Sequence, residues 1–255
     1  MKKGEPASAE EWHRRRKEEV TNDKRKMARS LKRKAASLLR FKNSDAGKVA
    51  RSILPIAASA FWHAEDTHLE ETAHREMDNY GRWVRRTFGC YLDYENGQYF
   101  RRCPVAIAHK KLGLSIEHTV RRKLCSICGF DLAECDHLME ELYEVPGGVG
   151  PSGYCPVCIS ESCTDHRPDV IYRVPPIALV DEIISSSAIA IVAKPAVPDA
   201  RFTSIPIDLD DLRKALGPRF VPGMPVSCDR CIKPCKGIEK PEFPYSHGGS
   251  AIEVG

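Results

Sequence analysis

The sequence predicts an α+β protein, with a basic helical N-terminal region followed by a small β-containing body whose loops are stapled by zinc. Three observations predict it. Residues 1–50 carry 16 Lys/Arg against 7 Asp/Glu, and helix-forming residues run unbroken to about Lys42. DVIYRVPPIALV and AIAIVAKPAV, within 169–197, are β-branched runs, with Ser185, Ser186 and Ser187 separating them. Eleven cysteines fall into short-spaced groups. Between 125 and 170 they sit among Gly, Pro and acidic residues, a composition that builds no hydrophobic core of its own.

Each element follows in order. Ser8 and Glu11 form a capping box for the first helix. Met27, Leu31, Ala35 and Leu38 make a narrow apolar stripe along it. A second helix covers about 45–62, with Pro55 as a kink or break. A third covers about 65–86 and stops before Gly89. CYLDYENGQYFRRC (90–103) places Asn96-Gly97 between aromatic residues, a hairpin signal. PVAIAHKKLG (104–113) is a short helix opened by Pro104, and IDLDDLRKALGP (207–218) a helix capped by Asp208 and stopped by Gly217 and Pro218. The resulting division is a basic helical region (1–88), a hairpin and short-helix connector (89–124), a Cys/His zinc module (125–170), a segment of strands, one helix and a cysteine cluster (171–238), and a loose tail (239–255).

The formal charge of +4 hides an asymmetry, because the 205 residues after position 50 carry 23 Lys/Arg against 28 Asp/Glu. The basic positions Arg14, Arg15, Arg16, Lys17, Lys24, Arg25, Lys26, Lys32, Arg33 and Lys34 recur over several helical turns. Such a surface suits a nucleic-acid backbone or an acidic protein partner, or is simply a solvated face. Trp12, Trp62 and Trp83 fit helix packing better than base stacking. The apolar run VARSILPIAASAFW (49–62) is too short for a membrane span and contains Arg51 and Pro55. The N-terminus lacks the apolar stretch of a secretory signal. A reducing, cytoplasmic setting (or a virion) is therefore expected, in which clustered cysteines point to metal and not to disulfides.

Three constellations stand out: Cys125, Cys128, Cys135 and His137; Cys155, Cys158, Cys163 and His166; and Cys228, Cys231 and Cys235. Thiolate and imidazole donors at these spacings suit tetrahedral Zn(2+). The first two groups supply eight ligands, enough for two ions. Each group either closes its own site or exchanges ligands with the other, Cys125 and Cys128 sharing an ion with Cys155 and Cys158. The third group needs a fourth donor, for which His247 and Cys103 are candidates. A meeting of Cys90, Cys103 and His109 across the hairpin is a further possibility. Two to three zinc ions are expected. Full Cys3His sets are closed, which makes the zincs structural. Glu65-x-x-His68 and Glu71-x-x-His74 sit six residues apart on one helix and read as a polar face, since di-iron chemistry needs such pairs on facing helices.

No Walker-type loop, dinucleotide-binding glycine pattern or nucleophile elbow is present. Ser115 with His118, in LGLSIEH, is a nucleophile–base pair in principle only. CSICGFDLAECDH, VAKPAVPDA (192–200) and LGLSIE together resemble the C-terminal part of head-maturation (prohead) proteases of tailed phages, over roughly 110–201. In that resemblance CSICGFDLAECDH corresponds to a zinc-binding insertion, and Ser115 stands where the family places its serine. The family's Glu-Val-Ser is replaced by Ala188, Ile189 and Ala190, and its early-strand histidine has no counterpart. The resemblance thus implies a non-catalytic, phage- or mobile-element-derived relative acting in binding or assembly. The competing readings are a prohead-protease-like serine hydrolase and a purely structural virion component.

Overall fold

Helix α1 (Ala9–Arg40) begins at Ser8, whose hydroxyl accepts from the Glu11 N–H at 3.2 Å, the first half of the expected capping box. Its buried stripe is Thr21, Ala28 and Ala35, with Leu31 packed beside them; Met27 is exposed, one position out of phase with the expected stripe. Helix α2 (Ala46–Ala64) runs uninterrupted through Pro55. Pro55 lies on the exposed face, so its missing N–H leaves the Arg51 carbonyl accessible to water and the helix continues. Helix α3 (Glu70–Phe88) starts five residues later than the sequence suggests. The computed structural model describes residues 8–228 together with Cys231, Cys235 and Gly237.

After α3 come the hairpin strands β1 (Asp93–Glu95) and β2 (Gln98–Arg101), then α4 (Pro104–Ala108). The turn has positive φ at Asn96 (51°) and Gly97 (80°), as a two-residue hairpin loop requires. Strands β3 (Gly113–Val120) and β8 (Ile183–Val192) form a two-stranded ribbon. Ser185, Ser186 and Ser187 are inside β8, where pairing with β3 overrides their weak strand preference. Between these strands lie β4 (Lys123–Cys125), β5 (Tyr143–Pro146), β6 (Ile171–Val174) and β7 (Ala178–Val180); beyond them follow β9 (Ile205–Ile207) and α5 (Leu209–Leu216). The Asp208 carboxylate caps α5, accepting from the N–H groups of Asp210 and Asp211.

The described chain divides into two compact units. One comprises 8–16 and 116–189, the other 17–115 and the residues from 190 onward. In the second unit, Ala50, Ile53, Ala57, Ala58 and Phe61 of α2 pack on Ala73, Met77 and Val84 of α3 and on Val105 of α4. The run of alanines lets these helices approach closely. A smaller core joins Tyr99 of β2 to Leu212, Phe220 and Val226, with β9 pairing β2 as Tyr99↔Ile207. The proline turn at 195–200 is held by Arg201, which donates to the Ala193 and Pro198 carbonyls and to Glu65.

The unit containing 116–189 has few buried apolar side chains, chiefly Val145 and Val174 around the buried Cys125 and Cys155. It holds a tandem repeat. Cys125, Cys128, Tyr143 and Val145 recur as Cys155, Cys158, Tyr172 and Val174, and YEVP (143–146) recurs as YRVP (172–175). Strands β5 and β6 pair as Tyr143↔Val174 and Val145↔Tyr172, so each repeat makes the same contacts with the other, as an antiparallel two-fold arrangement demands.

Candidate metal centres

Each repeat opens with a Cys-x-x-Cys turn of one geometry. The Gly129 N–H donates to the Cys125 carbonyl at 2.9 Å, and the Cys125 N–H to the Phe130 carbonyl at 2.8 Å. In the second repeat, Ile159 donates to Cys155 at 2.8 Å and Cys155 to Ser160 at 2.9 Å. The turn needs a left-handed residue after the second cysteine. Gly129 supplies it at φ 77°, whereas the β-branched Ile159 is forced to 59°.

These turns aim four donors at one point in each repeat. In the first, the Cys128 and Cys135 sulfurs are 3.5 Å apart, and His137 Nδ1 is 3.2 Å from Cys135 Sγ and 3.8 Å from Cys125 Sγ. In the second, His166 Nδ1 is 3.2 Å from Cys163 Sγ and 3.8 Å from Cys155 Sγ. Tetrahedral zinc, with Zn–S near 2.3 Å and Zn–N near 2.0 Å, sets donors about 3.5–3.8 Å apart. A disulfide would need about 2 Å between sulfurs, and all eleven cysteines are free thiols. The short Cys135–His137 spacing is accommodated because the His137 N–H itself donates to Cys135 Sγ at 3.3 Å. Donors within each set lie within 4.8 Å of one another, so each repeat gathers its own ligands. Tyr143 and Tyr172 meet the rings of His137 and His166 edge-on, at centroid distances of 4.6 and 5.2 Å, and fix their orientation.

The thiols of each set perturb one another's titration, as donors packed this closely must. The His166 backbone N–H, joined by the His166 ring, holds Cys163 down to about 6, while burial and neighbouring thiols push Cys158 up to about 11. Burial likewise pushes Cys135 up to about 11. Adjacent thiolates repel one another unless a cation lies between them.

A third cluster joins His74 of α3, His109 after α4, and Cys235. The two Nε2 atoms are 3.1 Å apart; Cys235 Sγ is 3.1 Å from His109 and 3.5 Å from His74. His109 Nδ1 lies 2.6 Å from the Val105 carbonyl, which fixes Nδ1 as the protonated nitrogen and leaves Nε2 for a metal. Burial, reinforced by repulsion from His109, lowers the His74 pKa and favours the neutral ligating form. Two Cys3His clusters and one His2Cys cluster therefore match a requirement for two to three zinc ions.

Cys235, expected with Cys228 and Cys231, stands with the two histidines. His109 likewise stands with His74, and not with Cys90 and Cys103. His247 lies outside the described residues. His74, read from sequence as part of a polar face, is a donor here. Its partners are 35 and 161 residues away, and no local spacing could have revealed them.

The strand conformation of β3 settles the geometry of Ser115 and His118. Three positions apart on a strand, they project from opposite faces and do not form a pair. The basic residues of α1 have mixed fates. Arg25 and Arg29 bind Glu76 at 2.9 and 2.6 Å, Lys24 reaches Ser59 and Asp199, Lys26 pairs with Asp23, and Arg15 with Glu11. The Lys32 ammonium lies over the rings of Tyr80 and Trp83. Arg14, Lys26, Arg29, Lys32, Arg33 and Lys34 are exposed, while Arg16 and Lys17 are half-buried. No helix among the described residues is long and apolar enough to cross a membrane. No protein-family model, curated protein or solved structure matches this chain.

Proposed function

We propose that the chain is a non-catalytic zinc-binding protein of binding or assembly, whose basic helix α1 contacts a polyanion, nucleic acid first and an acidic protein partner second. The observation that carries this reading is the exposed cationic face of α1, where Lys26, Arg29, Arg33 and Lys34 recur at helical spacing. The zinc repeats do not supply that affinity, because residues 125–170 hold nine Asp/Glu and one Arg. Their closed ligand sets suit a scaffold that presents a protein-facing surface. Ile183, Ile184, Ile189 and Ile191 of β8 and Ile116 of β3 are exposed, which supports an assembly role. The resemblance of 110–201 to head-maturation proteases supports a phage or mobile-element setting, with the catalytic set lost.

The test is binding of a fluorescent duplex across a salt series, with wild type beside Arg33→Gln/Lys34→Gln. The reading expects affinity that falls steeply with salt, and a logarithmic slope reduced by about 1 for each phosphate contact removed. Absent or salt-independent binding overturns the nucleic-acid arm. Labelling of Ser115 by a serine-directed probe, lost in Ser115→Ala, overturns the non-catalytic arm.

A further inference from the structure

Cys90, Cys103, Cys228 and Cys231 belong to none of the three clusters, and no three of their sulfurs lie within 4.8 Å of one another, yet strand register sets three of them side by side, where an ion could draw them in. Strands β1 and β2 pair as Asp93↔Phe100, Tyr94↔Tyr99 and Glu95↔Gln98. The same register, continued to the base of the hairpin, sets Cys90 opposite Cys103. On the other side of Cys90 a second antiparallel contact runs. The Leu92 N–H donates to the Val226 carbonyl at 2.9 Å, Tyr91 bridges Ser227, and the Cys228 N–H donates to the Cys90 carbonyl at 2.8 Å. Residues directly opposite on antiparallel strands project from the same face, so three thiols share one face. Cys90, Cys103 and Cys228 line one cavity. Cys231 follows Cys228 at the Cys-x-x-Cys spacing used in both zinc repeats.

Packing adds the fourth thiol. Cys231 is buried in the same apolar cluster against which Cys90 and Cys103 pack. The Cys231 sulfur rests against α3 at Gly81, where a β-carbon would come within 2.9 Å of it and within 3.2 Å of Val105. A glycine inside a helix costs about 1 kcal/mol relative to alanine; here it opens the space the sulfur occupies. We propose that Cys90, Cys103, Cys228 and Cys231 form a further, closed four-cysteine zinc site. It ties the hairpin base and the start of α4 to the C-terminal Cys-x-x-Cys.

Each thiol gives its proton to solvent as its Zn–S bond forms, and no electron changes hands. With Zn(2+) bound, the four thiolates would leave a net charge of about −2. Arg85 sets a positive charge beside it, its Nε donating to the Cys228 carbonyl at 2.6 Å. The site shares no ligand with either Cys3His repeat and does not depend on their function.

Native mass spectrometry of the full chain tests it. Cys90→Ser and Cys228→Ser should each lose one zinc relative to wild type, and the double variant should lose the same single ion. Retention of the wild-type zinc count by either variant, or loss of two ions by the double variant, overturns the proposal. Because a variant can fail to fold, thiol alkylation of the unmodified chain is mapped as well. The four cysteines should resist iodoacetamide until a chelator is added and then react together. Reaction without chelator, or recovery of a Cys103–Cys231 disulfide, overturns the site.

Discussion

Ile159 holds a left-handed backbone conformation that its β-branched side chain disfavours. Its counterpart in the first repeat is Gly129, and a β-branched side chain at φ 59° costs roughly 1–2 kcal/mol. Ile159→Gly should raise stability by about 0.5–1 kcal/mol in thermal unfolding, with zinc content unchanged. Glu76 gives a pH signature. Burial alone would raise its carboxyl, but hydrogen bonds from Arg25 and Arg29 outweigh this and hold it below its ordinary 4.5. A carboxyl depressed in the folded state stabilises above its unfolded value, and the stabilisation fades as pH falls through the folded one. The melting-temperature gap between wild type and Glu76→Gln, worth about 1 kcal/mol at neutral pH, should therefore close on acidification below about pH 4. A gap that is unchanged or wider in acid would remove the Arg25–Glu76–Arg29 group from the account.

Among the elements, the proline turn at 195–200 depends on one buried ion pair. Arg201 and Glu65 meet at 2.7 Å with 2% and 6% of their side chains exposed. Glu65→Ala strands the guanidinium and should cost about 3–5 kcal/mol in denaturant unfolding, whereas replacing both partners with apolar residues should cost far less. Equal losses in the two variants would show that the pair contributes attraction and not only mutual neutralisation. Elements with local chemistry were legible in the sequence: the Ser8 cap of α1, the Asn96-Gly97 hairpin, and α5 between Asp208 and Gly217. Elements decided by partners were not. The three serines enter β8 because β3 pairs with it, and Pro55 stays in α2 because it faces solvent. LGLSIEHTV is a strand, and that conformation separates Ser115 from His118.

For the whole molecule, the ligand spacing of 125–170 made the two Cys3His clusters readable, because the donors of each lie within 13 positions of one another. The His74–His109–Cys235 cluster was not readable, since folding alone assembles it. The second unit has an extended apolar core around α2 and α3, while the unit of 116–189 rests on its metal centres. Chelation should therefore make 116–189 protease-sensitive while most of the helical circular dichroism survives; joint collapse of both would contradict the division of labour. The central claim is that each repeat closes its own zinc site. Zinc counting by native mass spectrometry on Cys125→Ser, Cys155→Ser and the double variant tests it most directly. One ion lost in each single variant and two in the double is the predicted result. Loss of both ions from either single variant, or of none, would contradict it.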